Sequence, residues 1–179
     1  MLKTYTFVIF FQYMIQTDLS IIATASEVKA EENQQFIQLL KTFAMDDIDE
    51  KVAQINADIE PQIDCTVCGN CCKTLMINVE KEEADRLSDY LQMERTEFDQ
   101  RYLEKSEHSD RMLINAIPCH FLEDNKCTVY EYRFTGCKEF PALDKPMFTK
   151  RLFTVFMHYG RCPIIYNVVE ELKTELAFR

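Results

Sequence analysis

Eight cysteines, four of them packed into eight consecutive positions, are the tightest constraint on what this 179-residue chain can fold into. The run Cys65-Thr-Val-Cys68-Gly-Asn-Cys71-Cys72 is followed by Cys119, Cys127, Cys137 and Cys162. Two residues between cysteines form a turn tight enough to aim both sulfurs at one ion, the spacing of zinc and iron–sulfur sites. Three cysteines in that register can wrap three corners of an iron–sulfur cube, with a fourth sulfur supplied from afar. The side chains of neighbouring cysteines tend to diverge, so one of Cys71 and Cys72 is expected to point into a second coordination shell or a second site. The distal four then complete one or two four-sulfur sites. All eight are therefore expected as metal ligands, and spacing alone leaves zinc and an iron–sulfur cluster both open. Two rival readings exist. A single buried cysteine is ordinarily a small hydrophobe, and paired cysteines ordinarily form disulfides in oxidising compartments.

The glycines support the metal reading. There are only three: Gly69 follows Cys68, Gly136 precedes Cys137, and Gly160 lies two before Cys162. Glycine permits positive φ and close backbone approach, which a chain wrapping sulfur needs. The same scarcity excludes G-x-G-x-x-G and P-loop phosphate cradles, and no G-x-S-x-G elbow is present. Acidic residues outnumber basic ones by 30 to 20, for a formal charge of −10. A nucleic-acid partner needs a basic stripe to release phosphate counterions, and none is found. No segment reaches the roughly 18 consecutive apolar residues of a membrane span.

Lys3, the apolar segment from Tyr5 to Ile15, and Ala23-Thr24-Ala25 loosely imitate a secretory signal. Gln12, Gln16 and Asp18 interrupt it, and its basic region is one lysine. The plainer expectation is a start at Met14, with residues 1–13 a mis-assigned start or a weak signal-like segment. A cytoplasmic location follows, where thiols stay reduced and clustered cysteines read as ligands.

The remaining chain divides into a helical extension over 14–60 and a cysteine-cluster metal-binding domain over 61–179. Phe36, Leu39, Leu40 and Phe43 predict one helical arm within 19–43. Ile48, Val52, Ile55 and Ile59 give a second amphipathic stripe, ended by Pro61. Cys65 to Cys72 reads as a loop, with a strand near 75–79 and a helix over 80–91 burying Ala84, Leu87 and Leu91. Thr96 is expected to cap a helix carrying Phe98 and Tyr102. Met112, Ile114 and Ala116 alternate as a strand, and Glu123-Asp124-Asn125 is a turn between the arms of a hairpin, 119–122 and 127–130. Phe148, Leu152, Val155 and Tyr159 suggest a helix, although their β-branched and aromatic content also fits a strand. Pro163 opens a C-terminal helix through Val169, Leu172 and Leu176. The expected fold class is α+β, mainly α: a small metal-nucleated domain with short strands or a hairpin, preceded by an N-terminal helical pair. His108, His120 and His158 are expected as surface or packing residues, with His120, beside Cys119, the one worth checking. Carboxylates are too numerous for any to stand out as acid or base.

With these motifs in place, the chain resembles the YkgJ-type cysteine-cluster proteins, the CxxCxxCC family of zinc- or iron-chelating domains. The likeness runs from Cys65-x-x-Cys68-x-x-Cys71-Cys72 through Pro118-Cys119-His120-Phe121-Leu122 and Cys127-Thr128-Val129-Tyr130-x-x-Arg133. It continues in Cys137-Lys138-Glu139-Phe140-Pro141 and closes at Cys162-Pro163, covering about residues 60–165. Phe134 stands where the family has proline and Lys138 where it has arginine, which implies a looser turn before Cys137. The resemblance implies metal binding and no established reaction. Related flagellin lysine N-methylases suggest an alternative as a protein-modifying enzyme, but no S-adenosylmethionine site is recognisable. An iron–sulfur redox protein is a further alternative, and an adaptor docking a protein partner through its acidic helices is another. Arg133 is expected either to offset the charge of the thiolates or to lay its stem on Phe140.

Overall fold

The computed structural model describes residues 14–107 and 110–178; the signal-like segment 1–13 and His108 lie outside them. The N-terminal helical pair is present, its first arm stepped into two helices. Asp18 caps α1 (Leu19–Val28) by accepting from the backbone N–H groups of Ser20 at 2.8 Å and Ile21 at 3.3 Å, satisfying donors that a helix start leaves free. Lys29 leaves helical geometry at ψ 14° and separates α1 from α2 (Ala30–Leu40). In α3 (Met45–Ile59) the stripe Ile48, Val52, Ile55 and Ile59 is buried along its whole length. Pro61, in the 3-10 turn Glu60–Gln62 that follows, has no N–H with which to prolong the helix.

The chain then makes a single helical turn, α4 (Cys65–Cys68), where a loop was expected; a four-residue turn is too short to leave an apolar period in the sequence. After β1 (Asn78–Val79) comes α5 (Lys81–Tyr90), which buries Ala84 and Leu87. Next is α6 (Arg95–Tyr102), whose N-cap is Glu94, so Thr96 lies inside the helix and does not cap it. The strands β2 (Leu103–Lys105) and β3 (Met112–Ile114) join β1 in an antiparallel sheet of order β1-β3-β2, with Leu103 opposite Ile114 and Asn78 opposite Leu113. The expected hairpin is β4 (Leu122–Glu123) paired with β5 (Lys126–Cys127). Its two-residue turn, Asp124-Asn125, has positive φ at both positions, 47° and 64°, the backbone twist that tight hairpins favour and that Asp and Asn tolerate. Two short helices follow, α7 (Thr135–Glu139) and α8 (Leu152–Met157), so the 148–159 segment is helical. The chain ends in α9 (Pro163–Glu175), with proline at its first position.

Two hydrophobic cores result among the described residues. The first joins the N- and C-terminal helices: Phe36, Leu40, Ile55, Tyr159, Val168 and Leu172 are all buried in it, and α3 packs along α9. Inside it Lys173, 4% exposed, donates to Glu170 at 2.8 Å, Glu32 at 2.6 Å and Asn33 at 2.7 Å. A buried ammonium needs such partners to offset desolvation. The second core gathers Val79, Leu87, Phe98, Ile114, Phe121 and Phe134 from the middle of the chain. The fold is α+β and mainly α, with only short antiparallel strands.

Candidate metal centre

The cysteines sit where the two cores meet. All eight line one cavity of about 230 Å³, brought there by five separate segments. The first segment is built around its sulfurs. Asp64 accepts from the Thr66 N–H at 2.8 Å and the Thr66 hydroxyl at 2.6 Å, which starts α4 with Cys65 and Cys68 one turn apart. Gly69 ends that turn at φ +57°, donating its N–H to the Cys65 carbonyl, the left-handed close that favours glycine. A Cβ at Gly69 would lie 2.6 Å from the Asn125 carbonyl oxygen in the hairpin turn, so the close approach also requires glycine. The chain then turns through Cys71 and Cys72, whose sulfurs are 4.0 Å apart.

Each distal cysteine is tied to this segment or to the second core. Cys119 donates its N–H to the Cys72 carbonyl at 2.8 Å. Cys127 lies on β5 opposite Leu122. Cys137 sits in α7, whose start is held by the carboxylate of Glu83, which accepts from the Thr135 N–H and hydroxyl, both at 2.6 Å. Phe134 is buried in the second core and accepts the Cys137 N–H at 2.9 Å. The turn before Cys137 is therefore firmly anchored, not loosened by the absence of proline. Cys162 caps α9, and Asn70 reaches its neighbourhood by donating to the Arg161 carbonyl at 2.7 Å.

Charge in the cavity is asymmetric. Burial pushes the Cys137 and Cys162 thiols up to about 12, because a thiolate loses hydration there. Cys65, Cys119 and Cys127 move up for the same first reason. Cys71 goes the other way, down to about 7, chiefly because the Cys72 thiol donates to it, with backbone N–H groups and the charge of Arg133 adding to the effect. Arg133 lines the cavity, its guanidinium carbon 3.6 Å from the centre of the Tyr130 ring. Its Nε is buried with no hydrogen-bond partner. Of the two expectations for Arg133, the structure favours the cation beside the sulfurs; its charge also lowers Cys127 and Cys137, and its aromatic neighbour is Tyr130, not Phe140.

His120 faces away from the cavity, its Nε2 2.6 Å from the Asn115 side-chain oxygen and its ring edge-on to Tyr102. His158, set aside in the sequence as a packing residue, is 6% exposed and lines the cavity with the cysteines. Its only sequence signal is its place four residues before Cys162.

Thiols are soft donors that select zinc, copper(I) and iron–sulfur clusters, and eight of them beside the half-buried Arg133 guanidinium suit such an occupant. Among the described residues, however, no three Cys, His, Asp or Glu side chains gather closely enough to hold a single ion. No helix among them is long and apolar enough to cross a membrane.

Neither the curated proteins nor the solved structures give a match to the chain. One family does, over residues 64–155: CxxCxxCC, described as a putative zinc- or iron-chelating domain. That stretch is just over half the chain and holds Cys65, Cys68, Cys71, Cys72, Cys119, Cys127 and Cys137, while His158 and Cys162 lie beyond it. By its motif and by the extent of this match, the chain belongs to the CxxCxxCC family of metal-chelating domains.

Proposed function

We propose that this protein binds iron in thiolate-held iron–sulfur form, and that the bound metal fastens its two cores together. The observation carrying this reading is the convergence of eight thiols from five segments on one cavity at the junction of the cores. Tetrahedral zinc with Zn–S bonds of about 2.3 Å brings its sulfurs to about 3.8 Å of one another. Among the described residues no three such donors gather closely enough to hold a single ion. An iron–sulfur cluster spreads its thiolates over separate iron atoms and so suits wider spacing and a larger cavity. Arg133, close enough to lower three of the thiols, offsets part of the negative charge such a centre carries. No reaction is assigned to the chain.

The test is purification without oxygen, followed by iron, zinc and acid-labile sulfide analysis per chain. Iron with sulfide, and a brown colour, is the expected result. Zinc without sulfide would keep the coordination and replace the metal. A metal-free protein with an undiminished cooperative unfolding transition would refute both.

A further inference from the structure

We propose that a second pocket, between the C-terminal end of α3 and the segment 138–145, binds a small free alkylamine, whose protonated nitrogen donates to the Asn56 side-chain oxygen and to the Glu60 carboxylate. The inference goes beyond the metal reading above and does not depend on it.

The pocket has a volume of about 390 Å³, within the range of small-molecule sites. Ala53, Asn56, Ala57 and Glu60 line it from α3 and its C-cap, at spacings that set them on one face of the helix. Asn56 is 4% exposed, and one bond orients its amide: Nδ2 donates to the Glu60 Oε2 at 2.7 Å. The Asn56 Oδ1 is left buried with no hydrogen-bond partner. Reversing the amide gives no relief, because it would set the oxygen against the carboxylate. Buried amide oxygens are rarely unpaired, and leaving one so is costly. What is missing here is a donor.

Charge makes that donor a cation. Of the carboxylates lining the pocket, Glu139 and Asp144 share Lys145, at 3.5 Å and 3.8 Å. Lys138 also lines the pocket, but no described cation is paired with Glu60. The last turn of α3 adds the negative end of its backbone dipole. An anion would meet a carboxylate and an acceptor oxygen. Among the described residues no three carboxylates, thiols or imidazoles gather closely enough to hold a metal ion, so an N–H cation suits the site and a bare metal ion does not. Ala53, Ala57 and Pro141 offer apolar surface to the aliphatic stem of such a ligand.

The test is calorimetric titration of the full chain, as purified without oxygen, with n-butylammonium, butyltrimethylammonium and n-butanol. The trimethylated probe keeps the charge without an N–H, and butanol keeps a donor without the charge. n-Butylammonium should bind roughly ten- to a hundredfold more tightly than either, the difference that a charge-assisted hydrogen bond makes. Asn56→Leu, which fills a similar volume without the oxygen, should remove that preference, and Glu60→Gln should weaken it roughly tenfold or more. Should Asn56→Leu fail to fold, Glu60→Gln decides, since Glu60 is exposed. Equal affinities for the three probes, no binding of n-butylammonium, or undiminished binding in Glu60→Gln overturns the proposal and leaves water as the donor to Asn56. The titration reads the same way whether or not the purified chain carries metal, so failure here and failure of the metal reading are told apart.

Discussion

Replacing Gly69 with alanine should cost far more than the same change at Gly136, although both glycines adjoin cysteines. Gly69 has φ +57°, and a Cβ there would meet the Asn125 carbonyl oxygen at 2.6 Å and its Cα at 3.0 Å. The left-handed conformation costs an L side chain roughly 1–2 kcal/mol. Wedging a methyl against backbone that has no rotamer with which to yield adds about 1–3 kcal/mol. Together these give about 2–5 kcal/mol, and relief would push the Cys65–Cys72 segment away from the hairpin that carries Cys127. At Gly136 the φ is ordinary and the nearest atom is the Ile77 Cγ2 at 3.4 Å. Alanine there should range from neutral to about 1 kcal/mol stabilising, by narrowing the unfolded ensemble. Urea unfolding of the metal-loaded protein measures both, with the midpoint shift multiplied by a common m-value. Metal content measured in parallel should fall for Gly69→Ala alone. Equal stabilities for the two variants would refute the claim that the ligand segment is shaped by the hairpin turn.

Other perturbations separate the two cores. Lys173→Met leaves Glu170 and Glu32 short of their shared cation and the buried Asn33 side-chain oxygen without its donor, and should cost about 1–3 kcal/mol by thermal unfolding. Metal per folded chain should stay unchanged; its loss would show that the helical core and the cysteines are not separable. Arg133→Ala removes the cation near Cys71, Cys127 and Cys137, so metal affinity should fall while Arg133→Lys keeps part of it; unchanged metal content and stability in the alanine variant would dismiss the guanidinium. Burial pushes Glu83 up, but the hydrogen bonds from Thr135 and Glu80 outweigh it and hold the carboxyl below its ordinary 4.5. Its stabilisation is therefore present above that pH and lost as pH falls through the lower folded value. Wild-type stability should drop more steeply with acid than that of Glu83→Gln, and parallel pH curves would contradict this. The raised thiols are protonated at neutral pH, so metal must displace protons; calorimetry in buffers of different ionisation enthalpy should show proton release, and affinity should climb between pH 6 and 8. Uptake without proton release would mean that the thiols are not the ligands.

What the sequence made legible were features with a local physical cause. The Ile48, Val52, Ile55 and Ile59 stripe declares α3, Pro163 opens α9, and Glu123-Asp124-Asn125 marks the hairpin turn. The cysteine spacing pointed to ligands sharing an ion; all eight cysteines line one cavity, while no three of the described donors gather closely enough to hold one. Features set by distant partners were hidden. The α4 turn depends on Asp64 and on an Asn125 far along the chain. Glu94 takes the cap expected of Thr96 because α6 begins two residues earlier than residue preference suggests. His158 carries no motif, and only the packing of α8, Phe140 and Cys162 reveals that it borders the sulfurs. The first core is equally non-local, since α9 closes onto helices more than a hundred residues earlier.

X-ray absorption at the metal edge, on protein purified without oxygen, tests most directly whether sulfur-bound metal joins these segments. The account predicts iron in a mainly sulfur environment at about 2.3 Å, with iron–iron scattering from a cluster. A first coordination sphere of oxygen and nitrogen without sulfur would contradict it.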